Sequence, residues 1–400
     1  MVVRGKHDAA RDAYFLGLQD ALRAAGIVQP VLVLDRRRLL ANMDCLRGQL
    51  PDGVALRLAS KSLPVPALLT LVSRTMATRR YMTFNALMLG EIARMDPQAE
   101  QLLGKPLPVA AMARHYADTP PVADAVTWLI DTLPRLQQYA AFAQTRGRVL
   151  DICLEIDVGL HRGGFQVGDA LRAALDWLKS CRVLRFAGFM GYDAHLSKIP
   201  ALLGLRDRHI ARSFARYRGA LDLAREVLGR DAASLPIRNA AGSPTFRMHR
   251  SDCLANEVTV GSALVKPSDF DTDLLAGFLP ALFIATPALK VSDRMQTPVL
   301  EPLDGIMRMF NRNRSGAVFI HGGYWKATPV DPPGLSYNAT FGRSSNQELL
   351  NAGPGLALEV DDFVFLRPTQ SESVMLQFGD IAVYDEGGIV DRWAPFSPSC

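Results

Sequence analysis

The feature that most constrains this chain is a rhythm: between residue 54 and about residue 262, short apolar runs alternate with segments whose apolar residues recur at helical spacing. Strand candidates lie at 54–60 (VALRLAS), 81–84 (YMTF), 101–104 (QLLG), 126–130 (VTWLI), 152–157 (ICLEID), 185–191 (RFAGFMG), 236–240 (PIRNA) and 257–261 (EVTVG). Helical segments at 64–73, 86–94, 109–117, 133–146, 167–180 and 207–229 separate them. A strand that returns through a helix lies parallel to its predecessor, so this order predicts a parallel sheet covered by helices. Eight such units in a stretch of this length are the arithmetic of a closed β/α barrel. The competing fold, a doubly wound open sheet, carries a GxGxxG turn after an early strand, and none stands there.

After about residue 275 the pattern changes. Apolar runs broken by Gly, Pro, Asp and Asn (FLPALFIATPALKVSD, GAVFIHGG, LALEVDDFVFLRP, GDIAVYDEGGIVD) read as antiparallel strands with tight turns. A chain of 400 residues also exceeds what one core supports. The expected organisation is residues 1–53 as a leader helix (8–25) and a strand (PVLVLD, 30–35) joining the β domain to the barrel, 54–275 as the barrel, and 276–400 as a β-rich domain.

Charge and cysteine usage exclude several classes. The net charge of +5 comes from 45 basic and 40 acidic residues without a long basic run, which favours anionic small molecules over nucleic acid as partners. Five scattered cysteines (45, 153, 181, 253 and 400), none in a CxxC pair, make neither a disulfide framework nor a zinc cluster. The first residues mix charges among apolar positions and lack the apolar core of a secretory signal, and later apolar stretches are too short to span a bilayer. A cytoplasmic location is expected.

Barrel active sites are built at the C-terminal ends of the strands, which directs attention to five segments. In VALRLASKS, alternation puts Arg57, Ala59 and Lys61 on one face if the strand runs that far. An amine there, desolvated or beside a cation such as Arg57, has a lowered pKa and condenses with an aldehyde; taken alone, the segment also fits a surface lysine. LEIDVGLHRGG (154–164) delivers Asp157, His161 and Arg162 into a glycine-rich turn. GFMGYDAHLS (188–197) brings Tyr192 and His195 to the next strand end, a phenol and an imidazole able to contact a ring and move protons. NAAGSPTF (239–246) and EVTVGSALV (257–265) follow strands seven and eight, where barrels bind phosphate through backbone N–H groups and hydroxyls. A lysine, an arginine, a Tyr/His pair and two phosphate loops make a cradle for one phosphorylated aldehyde cofactor, for which pyridoxal phosphate is the economical answer.

With these motifs in order, the chain resembles the fold-type III pyridoxal phosphate enzymes, in the branch of D-threonine aldolase and eukaryotic-type D-serine dehydratase. The resemblance runs through PVLVLDRRRLLANM, LRLASKS, LLGKPLP, EIDVGLHRGGF, GYDAH, AGSPTF, NEVTVGSALV and FLRPTQSE, most of the chain. It implies an alanine racemase-type (β/α)8 barrel with a C-terminal β-rich domain. Lys61 would hold the cofactor covalently, Arg162 would lie near its ring oxygen, and Tyr192 and His195 would line the site. Gly242, Ser243, Thr245, Gly261 and Ser262 would hold the phosphate. It also implies a head-to-tail homodimer.

Two departures from the family pattern stand out. Where relatives read Arg-Pro-His before the lysine, this chain has Arg57, Leu58 and Ala59. The family's metal pair, His followed two residues later by Cys or Asp, is replaced by Gln370 and Glu372, a loss of zinc's preferred ligands that leaves at most oxygen donors for Mg²⁺ or Mn²⁺. The expected activity is lysis of a D-β-hydroxy amino acid, by retro-aldol cleavage to glycine and an aldehyde. The alternatives are dehydration, racemisation with Tyr324 or Tyr337 as the second proton carrier, and cofactor binding without catalysis.

Overall fold

The computed structural model describes residues 11–118, 125–250, 254–295 and 315–398. The chain forms two compact units: one made of the residues through Asn42 with Val265–Asp271 and Phe278–Pro395, the other of Met43–Leu264, Thr272–Gly277 and the residues from Phe396 onward. Within the described part of the leader, Asp12 caps the first helix, α1 (Ala13–Ala24), by accepting the N–H of Tyr14. Strand β1 (Val31–Asp35) and helix α2 (Arg36–Arg47) follow. On α2, Leu39, Met43 and Leu46 are buried and Leu40 is partly so.

All eight expected strands form and close into a parallel barrel: β2 (Ala55–Ala59), β3 (Arg80–Thr83), β4 (Glu100–Leu103), β5 (Val126–Ile130), β6 (Leu150–Glu155), β7 (Leu184–Gly191), β8 (Ile237–Ala240) and β9 (Glu257–Val260), with β9 paired back to β2. The six expected helices return the chain outside it: α3 (Pro66–Thr75), α4 (Ala86–Met95), α5 (Val109–Asp118), α6 (Leu133–Thr145), α7 (Asp169–Ser180) and α8 (Leu205–Leu228). The apolar faces of α4 to α8 meet the strands in one continuous core around Trp128, Tyr139, Phe189 and Leu221. After β8 and β9 the chain makes only short 3-10 turns, Phe246–Arg250 and Ser262–Leu264, which leaves those two loops free to build a site.

The other unit is a nine-stranded sheet of β1 with β10 (Leu282–Ser292), β11 (Gly316–His321), β12 (Ala327–Asp331), β13 (Ser336–Tyr337), β14 (Gln347–Ala352), β15 (Phe363–Pro368), β16 (Ile381–Asp385) and β17 (Gly388–Trp393). β1 is central, antiparallel to β10 and parallel to β16, so a strand from the start of the chain is built into the sheet of its end. Phe15, Leu18 and Leu22 of α1 pack with Phe283, Phe363 and Phe365 to make its core. Among the described residues no helix is long and apolar enough to cross a membrane.

Candidate active site

Lys61 stands just past β2, in the 3-10 turn Ser60–Ser62, and its Nζ lies 4.9 Å from the centre of the Phe84 ring after β3. The strand ends at Ala59, so Lys61 does not extend a face shared with Arg57. That expectation is corrected by the barrel interior. Arg57, 2% exposed, donates from Nε and Nη2 to both carboxylate oxygens of Glu257 at 2.7 and 2.8 Å, and from Nη1 to the carbonyls of Tyr81 and Glu100. Burial alone would push Glu257 up, but Arg57, Asn239 and Arg80 hold its carboxyl below the usual range. The charge of Arg57 is thus spent on a buried carboxylate inside the barrel.

The loop after β9 closes onto the lysine turn, and the loop after β8 is tied to it. Ser262 Oγ donates to Ser62 Oγ at 2.9 Å. Residue 261 has to be glycine for this contact: a Cβ there would lie 2.9 Å from Ala59 Cβ, from its carbonyl oxygen and from Ser62 Cβ. Ser243 Oγ accepts the N–H groups of Gly261 and Ala263 at 3.0 and 3.1 Å, which ties the two phosphate-loop candidates together and leaves its own proton to donate. Gly242 is the next required glycine, since a Cβ would stand 2.7 Å from Tyr192 Cε2. Arg162 Cζ lies 4.7 Å from the centre of that same Tyr192 ring. Ser62 beside Lys61, Ser262, Gly261, Ser243, Gly242, Tyr192 and Arg162, drawn from five separate segments, therefore form one connected chain of contacts.

Thr245 is placed differently from expectation. It is fully buried and its hydroxyl donates to Asp193 Oδ1 at 2.5 Å while accepting the N–H of Gly242, so it shapes the turn and has no proton left for a phosphate. Asp193 Oδ2 in turn pairs with His249 Nε2 at 2.7 Å, and both residues are buried. Glu155 lies 4.0 Å from Arg162 Nη2. Burial raises its pKa, Asp131 and Asp157 add to that, and Arg162 opposes it. Asp157 is held below the usual carboxyl range despite its burial, because it accepts the N–H groups of Gly159 and His161 and pairs with the His161 ring. His195 lies against Gly159, and burial draws its imidazole below the ordinary histidine value, opposed by Asp193 and reinforced by His209, His161 and Arg216.

Sequence reasoning missed Phe84, Ser62, Glu155, Asp193 and His249. Asp193 and Glu155 sit inside the quoted motifs GYDAH and LEID, so they were visible as letters. What could not be read is that Asp193 meets Thr245 and His249 across more than fifty residues of chain.

Gln370 and Glu372 lie beyond β15, where Gln370 Nε2 donates to Asp269 Oδ2 at 3.1 Å and the turn Ser371–Ser373 follows. No group of three His, Cys, Asp or Glu side chains suited to a metal occurs among the described residues.

The barrel, the lysine turn and the paired loops define the class. The chain belongs to the alanine racemase N-terminal domain family, whose model matches residues 34–269. That family implies pyridoxal phosphate as cofactor. No curated protein matches the chain significantly. Among solved structures it is similar to D-threonine aldolase from Filomicrobium marinum (17% identity, TM-score 0.70, covering 93% of this chain and 98% of that one). It is also similar to D-threo-3-hydroxyaspartate dehydratase from Delftia sp. HT23 (16%, 0.70, 92% and 97%) and to alanine racemase of Clostridium difficile 630 in complex with cycloserine (14%, 0.66, 91% and 98%). At such identities the likeness establishes the fold and leaves the reaction open.

Proposed function

We propose that the chain is a pyridoxal phosphate-dependent lyase that cleaves a D-β-hydroxy amino acid between Cα and Cβ to an amino acid and an aldehyde. The observation that carries this reading is the closure of the β9 loop onto the Lys61 turn through Ser262 and Ser62, at Gly261 where a Cβ is excluded, with Ser243 of the β8 loop tied to it. The residues fit the cofactor. Lys61 Nζ is the amine that would hold it; Ser243 keeps a hydroxyl proton to donate to a phosphate, with Gly242, Gly261 and Ser262 beside it; Arg162 and Tyr192 offer a guanidinium and a ring face. When bound, the cofactor supplies an electron sink for the pair left at Cα. Of the chain's own residues, His195 is the proton carrier: its depressed pKa keeps the ring neutral at pH 7, able to take the β-hydroxyl proton at Nε2.

One observation favours racemisation as the second reading. Tyr324 is exposed and stands on left-handed backbone at φ +58, its N–H given to the buried Glu348 and Arg343 lying 5.4 Å from its ring centre. A bulky residue held so is costly, and such strain gathers at active sites and switch regions. Tyr337 is the weaker candidate, because it donates to the Ala327 carbonyl and burial pushes its pKa up to about 12.

The deciding experiment incubates cofactor-loaded protein with D-threonine and D-serine and assays aldehyde, keto acid and L-enantiomer together. Glycine plus acetaldehyde from D-threonine, lost in Lys61→Ala, is the expected result. Keto acid would select dehydration and L-enantiomer racemisation; none of the three would overturn the lyase reading.

A further inference from the structure

The turn that carries Gly242 and Ser243 is held by buried polar side chains to which the reading above gives no task. Within the turn, Thr245 and Phe246 donate their N–H groups to the Gly242 carbonyl at 3.0 and 3.1 Å, and the Thr245 hydroxyl accepts the N–H of Gly242 at 3.1 Å. That hydroxyl donates to Asp193 Oδ1 at 2.5 Å, and Asp193 Oδ2 pairs with His249 Nε2 at 2.7 Å. Asp193 is 2% exposed, Thr245 0% and His249 5%, so water takes no part in these bonds. The His249 ring lies 4.9 Å from the ring of Phe214 on α8, which backs the imidazole with a helix. Asp193 directly follows Tyr192, the residue whose ring stands against Gly242. One loop thus supplies both the ring beside the turn and the carboxylate that fixes it.

A carboxylate buried this deeply gives up its hydration, and well-packed apolar side chains in the same space would serve stability as well or better. Apolar packing has no direction, however, whereas hydrogen bonds do, and a turn containing glycine has many shapes open to it. The shape of this turn reaches the lysine without a gap. Asp193 holds Thr245, Thr245 holds Gly242, and Ser243, the next residue, accepts the N–H groups of Gly261 and Ala263. Ser262, next to Gly261, bonds to Ser62 beside Lys61. A donor such as the Ser243 hydroxyl gives most to an anion when it already stands in place, because no ordering is left to be done on binding.

We propose that Asp193 is a positioning residue for the cofactor's phosphate: anchored by His249, it sets the turn from Gly242 to Thr245 through the Thr245 hydroxyl and so makes the phosphate site before the cofactor arrives. This deepens the cofactor reading and rests on it, though not on cleavage as the reaction. The two carboxylate oxygens have separate tasks, Oδ1 to orient Thr245 and Oδ2 to be held by His249. Asp193 itself touches no phosphate. Lys61 reacts with an aldehyde whether or not a phosphate is attached to it, so a loosened turn weakens the hold on the phosphate alone.

The test compares pyridoxal phosphate with pyridoxal, two aldehydes that differ only in the phosphate, by equilibrium dialysis on the purified chain. A preference for pyridoxal phosphate of about tenfold or more is expected. Thr245→Val and Asp193→Leu are expected to abolish it by weakening pyridoxal phosphate while pyridoxal stays within about twofold, and Thr245→Ser, which restores the hydroxyl, to keep it. Equal losses for both aldehydes would reduce Asp193 to a structural role and overturn the proposal. So would an undiminished preference in either variant, or no preference in the unaltered chain. Thermal unfolding verifies that the variants are folded, and Thr245→Val, the smaller change, carries the comparison if Asp193→Leu does not fold. A second arm uses pyridoxine phosphate and pyridoxine, which have no aldehyde, on Lys61→Ala. The phosphate preference is expected to persist there and to vanish on adding Thr245→Val; its absence from Lys61→Ala counts against the turn. If no amino acid is converted in the activity assay while the Thr245-dependent preference stands, the lyase reading falls and the positioning role survives it.

Discussion

A single methyl group at residue 261 decides whether the lysine turn and the phosphate loop can meet. In Gly261→Ala the new Cβ would press on Ala59 backbone as well as side chains, and backbone cannot swing aside. The substitution is expected to weaken pyridoxal phosphate binding about tenfold or more while the barrel still folds, measured by equilibrium dialysis. His195 is expected to govern the pH dependence of the proposed reaction. Its imidazole titrates below the ordinary value, so the neutral form persists at pH 7 and is lost as pH falls through that lowered pKa. The acid limb of kcat/KM is expected to lie below the ordinary histidine range and to vanish in His195→Gln; an unchanged limb in the variant would remove His195 from the reaction. At this scale the sequence told which residues to watch and not what they touch. Lys61, Tyr192 and Arg162 stood out because chemistry-bearing types at strand ends are conspicuous. The engagement of Thr245 by Asp193 could not be read, because Asp193 lies on another strand's loop.

At the level of elements, β2 and β9 are joined inside the barrel by Arg57 and Glu257. Asn239 and Thr259 complete the network, with Asn239 Nδ2 donating to both Glu257 and Thr259 at 2.8 and 2.9 Å. Removing one partner strands a buried charge, so Arg57→Met is expected to cost about 3–5 kcal/mol in denaturant unfolding, with Arg57→Met/Glu257→Leu recovering much of it. The sign with pH follows from the lowered pKa of Glu257. The stabilisation is complete above the ordinary carboxyl range and disappears as pH falls through the depressed value. The eight barrel strands were legible because each is short, apolar and bounded by a helical segment. β12, β13 and β14 were not: ATPVD, SY and QELLNA mix polar residues and proline into edges and short pairs. Nor does alternation reveal what fills a barrel's interior, since Arg57 and Glu257 lie 200 residues apart and become neighbours only when β9 pairs with β2.

For the whole molecule, a homodimer remains a proposal. Sedimentation equilibrium is expected to give twice the 43.8 kDa chain mass, and a monomer at micromolar concentration would contradict it. The most direct test of the account as a whole concerns Lys61. The protein, loaded with pyridoxal phosphate, is reduced with borohydride, digested, and its peptides sequenced by mass spectrometry. The expected result is one phosphopyridoxyl group, fixed on Nζ of Lys61 and absent from Lys61→Ala. Label on another lysine, or on none, would show that the turn after β2 is not where this chain holds its cofactor.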